Sequence, residues 1–349
     1  MAQRNQTLAR PVTMDTTAIR VREQGIERRA RFRAASEPLG LLIALVVLLI
    51  VFSLLNDRFF TIGNAQNILT QASIPLIIAV GATLVILLGS IDLSVEGIMG
   101  AAGMTWILLT ANSRGGEGIG PWAWVVALGV ALVFGLANGL IFTGLKVPSF
   151  IVTLGMWYVG LGFATILYGR DVFPRLEDAA LKGWTSQLTL GLPNAFWLAL
   201  LVIGIGLAVV RYTRVGRVAL AVGNSETIAR AAGLPAFRVK VAVFAIAAVL
   251  SGLGGILATI QLDIGSPLVG SGLLFIVIPA VVIGGTSLGG GKGGILRTVL
   301  GVILLTVLNN GLILSGVDTS WQSAVSGVIL VAAIVFAAWS HRDRLGVAK

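Results

Sequence analysis

Leu41-Leu42-Ile43-Ala44-Leu45-Val46-Val47-Leu48-Leu49-Ile50-Val51-Phe52-Ser53-Leu54-Leu55 carries no charge and no alternation of apolar with polar residues. A membrane-spanning β-strand needs that alternation over about ten residues, whereas a helix crosses lipid as a continuous apolar block of about 20. The run therefore reads as a helix, and blocks like it recur along the chain. With the first at 39–55, they fall at 67–88, 95–110, 122–142, 150–168, 195–210, 241–261, 273–283, 295–314 and 324–339. The pattern predicts an all-α, polytopic membrane protein with about ten transmembrane helices.

Composition agrees. The 349 residues are 56% hydrophobic and 11% charged, against about 25% charged in soluble domains. The net charge of +10 is spread over tails and alternate loops, which fits the positive-inside rule and not a nucleic-acid surface. That rule makes residues 1–37, with Arg28, Arg29, Arg31 and Arg33 before the first span, a disordered cytoplasmic tail. It puts Lys146, the loop 211–240, Lys292, Arg297 and the tail 341–349 on the same side, so both termini are cytoplasmic. Residues 38–340 form the transmembrane domain, and the loops 56–66, 111–121, 170–194, 262–272 and 315–320 face outward. Cysteine is absent and the single histidine, His341, lies in the tail; disulfides, thiolate sites and histidine chemistry within the membrane are excluded.

The loop 211–240 is a polar island between two spans. Within it, Gly223-Asn224-Ser225-Glu226-Thr227-Ile228-Ala229-Arg230-Ala231-Ala232-Gly233-Leu234-Pro235 holds a full set of helix signals. Asn224 or Ser225 serves as N-cap, Glu226 suits the positive end of the dipole and Arg230 the negative end. Gly233 takes the left-handed position and Pro235 blocks continuation. The expected helix is about eight residues, or ~12 Å, too short to span a bilayer. Ala229 and Ala232 then offer a small face to a groove on another protein; the alternative is a plain tether between spans.

This segment resembles the coupling segment of ABC-importer permeases of the ribose, xylose and arabinose type. Gly89-Ser90-Ile91-Asp92-Leu93-Ser94-Val95 and Ile283-Gly284-Gly285-Thr286-Ser287-Leu288-Gly289-Gly290-Gly291 agree with the same family, in order and spacing, from Leu39 to Trp339. The resemblance implies a homodimer in the bacterial inner membrane. It implies a cytoplasmic ABC ATPase docked on Gly223, Asn224, Glu226, Ala229, Ala232 and Gly233, and a periplasmic or extracellular substrate-binding protein landing on 170–194. The solute implied is a monosaccharide or similar small polyol. No cofactor belongs to this chain, because ATP and magnesium sit on the partner ATPase. The family has glycine where Ser90 and Glu96 stand here.

The two Gly-rich turns share a faint similarity that suggests two related halves. The span count puts them on one side of the membrane, which requires a parallel repeat or a miscounted span.

Candidate pathway residues are Asp92 and Ser94 in the first turn, Thr286 and Ser287 in the second, and Asn138, Thr153, Asn309, Asn310 and Gln322 on apolar spans. The amides and hydroxyls serve either as interhelical hydrogen-bond partners or as the lining of a hydrated polyol route. Trp157 stacks on a sugar ring or marks the interface. Gly285-Thr286-Ser287-Leu288-Gly289 has the spacing of a serine-hydrolase elbow but no histidine partner, and 289–293 lacks the spacing of a phosphate loop. The chain therefore reads as non-catalytic. Rival readings are an ion-coupled secondary transporter and a permease for amino acids or nucleosides.

Overall fold

A computed structural model describes residues 39–169 and 172–318, and beyond them 320, 321, 324, 325, 327–329, 331, 332 and 335, which are helical. The two tails, with His341, and the positions Arg170, Asp171 and Gln322 lie outside the described residues.

The helices are α1 (Leu39–Leu55), α2 (Ile62–Leu87), α3 (Val95–Leu108), α4 (Trp122–Gly144), α5 (Ser149–Tyr168), α6 (Asn194–Tyr212), α7 (Arg214–Asn224), α8 (Glu226–Ala231), α9 (Ala236–Leu262), α10 (Leu274–Ile283) and α11 (Ile295–Leu314). A two-residue hairpin, β1 (Leu188–Thr189) and β2 (Leu192–Pro193), precedes α6. Local chemistry sets several boundaries. The Thr61 side chain accepts from the Asn64 amide to start α2, and Asp263 in the left-handed conformation ends α9.

Six described helices, α2, α4, α5, α6, α9 and α11, are long and apolar enough to cross a membrane. The blocks expected to span at 95–110 and 273–283 form shorter helices of 14 and 10 residues. About 20 residues are needed to cross, so α3 and α10 are partial helices, each preceded by irregular chain at 88–94 and 263–273. Irregular backbone within a bilayer must find its hydrogen bonds in the protein. The segment before α3 does so on α5: Ile91 N donates to Ser149 Oγ at 3.1 Å and Leu93 N to Thr153 Oγ1 at 3.0 Å.

Helix α9 is the centre, packed on α4, α3 and α2. Its contact with α4 depends on Gly135 and Gly139, where an added Cβ would lie 2.8 Å from Ala245 Cα and 2.7 Å from Val241 Cα. Small residues bring helix backbones together where lipid supplies no hydrophobic force between helices. Helices α4, α5 and α6 are peripheral and expose Val133, Ile166 and Leu201, faces that suit hydrocarbon and not water.

The loops sort into two ends. At one end Leu176 N donates to Asp263 O, Glu177 N to Ala111 O and Ser113 N to Arg175 O, each at 2.9–3.0 Å. This knits together segments that the charge rule assigns to the outer side. At the other end gather the 211–240 segment and both Gly-rich turns.

Candidate functional site

Two regions concentrate the polar chemistry. The first is the 211–240 segment, which is two helices and not one: α7 ends at Asn224 and α8 begins at Glu226, with Ser225 between them. Ser225 caps α8 by accepting from Ile228 N at 3.4 Å, and Gly233 has φ +73°. Helix α8 is six residues long, shorter than the eight expected, because Ser225 and Ala232 serve as its N-cap and C-cap.

Glu226 ties α8 to its own chain. Lys240 Nζ donates to Oε2 at 2.6 Å, while Arg230 Nε and Nη2 donate to Oε1 at 2.9 and 2.7 Å. Lys240 is buried and also lies 4.8 Å from the centre of the Phe142 ring. Burial alone would raise the Glu226 carboxyl. The hydrogen bonds and charges of Lys240 and Arg230 outweigh it and hold the group below the usual carboxylate range.

Ala229 turns inward. It is 3% exposed, in a cluster with Val218, Val222, Ala236 and Val239. Ile228, 70% exposed, heads the outward face with Thr227, Ala231 and Ala232.

The three stretches that carried the resemblance meet at one point. Gly291 N donates to Leu87 O at 2.9 Å, and Asn224 Nδ2 donates to Gly291 O at 3.2 Å. A Cβ on Gly223 would overlap the Leu87 carbonyl and come within 2.5 Å of Gly291 N. A Cβ on Gly290 would stand 2.6 Å from Gly89 N. The end of α7 is thus wedged between the two Gly-rich turns, which do lie on the same side. Thr286 is buried in the second turn with Oγ1 unpartnered, and Ser287 N closes that turn on Lys292 O at 2.9 Å.

Asp92, Ser94 and Asn138 form a buried chain. Asn138 Nδ2 donates to Ser94 Oγ at 2.8 Å, and Ser94 donates to Asp92 Oδ1 through both its amide and its hydroxyl. Asp92 Oδ2 and Asn138 Oδ1 are buried without partners. These residues join α4 to the start of α3 and do not line the cavity described next.

The second region is a cavity of about 880 Å3 bounded by residues of α2, α3, α5, α9, α10 and α11. Trp157 and Asn309 line it, whereas Asn310, also expected there, is buried elsewhere with Oδ1 unpartnered. Sequence reasoning missed Gln71, Gln261, Ser271 and Thr306, whose amides and hydroxyls join them. Thr306 was legible in principle, three residues before Asn309 on the same helical face. Gln71 has a signal too: Pro75, four residues on, cannot donate to its carbonyl, and Pro75 also faces the cavity. Glu96 completes the lining. Its Oε1 accepts from the backbone N–H of Gly272 at 3.1 Å and of Leu274 at 3.2 Å, capping α10 from another helix.

Residues 64–334 match the family described as branched-chain amino acid transport system / permease component. The chain belongs to this family of ABC-importer permeases. As such it is a multi-pass transmembrane component and not an enzyme.

The permease is 37% identical over 298 residues to the ribose import permease protein RbsC of Escherichia coli (strain K12), covering 84% of this chain and 91% of that one. It is 33% identical over 312 residues to the protein of the same name in Bacillus subtilis (strain 168), covering 88% and 95%. With the autoinducer 2 import system permease protein LsrC of Photorhabdus luminescens it shares 29% identity over 295 residues, covering 84% and 88%. No solved structure matches the chain.

Proposed function

We propose that the permease moves a monosaccharide or similar small polyol across the inner membrane. It works as one of two identical copies, driven by a separate ATPase that holds ATP and magnesium and docks on the 211–240 segment. A binding protein delivers the solute to the opposite end. In this reading residues 38–340 make about ten crossings, counting the partial helices, and the tails 1–37 and 341–349 are both cytoplasmic. Gly223, Asn224, Glu226, Ala232 and Gly233 shape the docking site and Ala229 holds it from within. The solute route runs past Trp157 and Asn309. Asp92, Ser94, Asn138, Thr286, Ser287 and Asn310 support the walls and turns around it.

The observation that carries the reading is the cavity lining. Gln71, Gln261, Ser271, Thr306 and Asn309 supply neutral donors and acceptors, and Trp157 and Phe275 supply apolar ring faces. Polyols present hydroxyls at the rim and C–H groups on the ring faces, so this mixture suits them. An amino acid would bring a carboxylate, and no basic side chain is among the described residues that line the cavity. The names of the ribose import relatives point the same way.

The test is uptake of labelled pentoses and hexoses into proteoliposomes that hold the permease, its ATPase and its binding protein. Uptake should require ATP and both partners, and should survive a protonophore. Uptake by the permease alone that a protonophore abolishes would make it a secondary transporter.

A further inference from the structure

We infer that Glu96 selects the solute: its free carboxylate oxygen takes a hydroxyl of a neutral polyhydroxylated compound, and its charge excludes compounds that carry an acid group. This rests on the cavity being the solute route.

Glu96 stands in the first turn of α3 and is the one ionisable side chain among the described residues lining the cavity. Its two oxygens do different work. Oε1 is held by the amides of Gly272 and Leu274, which fixes the direction of the carboxylate. Oε2 has no hydrogen bond to any described residue. A carboxylate oxygen only accepts, and a hydroxyl donated to it makes a charge-assisted bond about twice as strong as a neutral one. The amides and hydroxyls around it serve the remaining groups of a polyol without preference for charge.

The same geometry turns acids away. An anion entering a cavity of this kind would seek the free N–H groups at the start of a helix. At α10 the amides of Gly272 and Leu274 already serve Glu96, so an acid would meet a like charge and find those donors taken. The residue that caps α10 therefore also closes it to anions. The direction of the carboxylate is set at one end by backbone, since two amides hold Oε1.

The experiment measures binding to purified full-length permease in nanodiscs, without the binding protein, so that the earlier filter is absent. The probes are D-ribose, D-xylose and myo-inositol, with D-ribonate and D-xylonate as acid counterparts. Wild-type protein should bind at least one neutral probe, with neither acid competing. Glu96→Gln keeps a carbonyl oxygen for Gly272 and Leu274 but removes the charge. It should weaken the neutral probe by roughly tenfold to a hundredfold and bring the matching acid to comparable affinity, with an unchanged melting temperature.

Several results overturn the proposal. Wild-type protein that binds none of the neutral probes, or binds an acid as well as its neutral counterpart, does so. Preference unchanged in Glu96→Gln, with binding abolished in Asn309→Leu, removes Glu96 as selector and leaves the cavity as the route. Binding that survives in Glu96→Gln, Asn309→Leu and Trp157→Ala alike removes the route itself.

Discussion

The amide of Gly291 donates to the carbonyl of Leu87 across 2.9 Å, and Gly223 lies against both. The last turn of α7 touches two turns, one leading into α3 and the other leaving α10, the partial helices bordering the cavity. The junction is made by backbone at Gly223, Leu87 and Gly291, with the Asn224 side chain donating to Gly291 O beside it.

Gly223→Ala should break this junction, because its Cβ would overlap the Leu87 carbonyl. Overpacking of this kind costs about 1–3 kcal/mol. The expected result is near-normal membrane insertion, a lower melting temperature and loss of ATP-driven uptake. Membrane levels, thermal unfolding and uptake measured on one preparation check it; normal uptake would mean the three turns need not stay in contact.

Ile228 and Ala229 should behave oppositely. Ile228→Asp removes an exposed apolar side chain from the outward face of α8 and should reduce ATPase co-purification by about tenfold or more, leaving thermal stability intact. Ala229→Trp puts a large ring into the chain's own cluster and should lower stability first. Wild-type stability with lost ATPase in Ala229→Trp would show that this residue faces the partner after all.

The Glu226 latch should respond to acid. Its carboxyl is held below the usual range when folded, so its contribution is complete above the ordinary glutamate value of about 4.3. It is lost as pH falls through the lower folded value. The melting-temperature gap between wild type and Glu226→Gln should be constant from neutral pH down to about 5 and close below that. A gap that widened on acidification would reverse the sign and discard the latch.

Ser94 should couple to Asn138. Ser94→Ala strands the buried Asn138 amide and should cost about 1–3 kcal/mol. Asn138→Leu removes the group that would be stranded, so the double variant should lose less than the sum of the singles. Additive losses in apparent melting temperature would mean that the 2.8 Å contact adds nothing beyond packing.

What the residues determined alone was what local physics controls. Leu41–Leu55 and its counterparts specified helices in lipid, since the backbone there is satisfied only in a helix or a closed barrel and a barrel strand would need alternation. Ser225 as cap and Gly233 at positive φ were legible because capping involves neighbours a few residues away.

Tertiary structure decided which way the residues face and which distant ones meet. A helix apolar on all sides shows no inward stripe, because lipid and protein interior make the same demand on its surface. Asn309 and Asn310 were therefore equivalent until packing turned one toward the cavity. Ala229 read as a small residue facing a partner, and packing turned it onto the chain's own cluster. Glu96 found its role only by meeting the start of α10, 176 residues away. Gly89, Gly223 and Gly291 each looked like a local turn or helix end. Their shared purpose, letting three backbones occupy one place, existed only once α2, α7 and the second Gly-rich turn had been brought together.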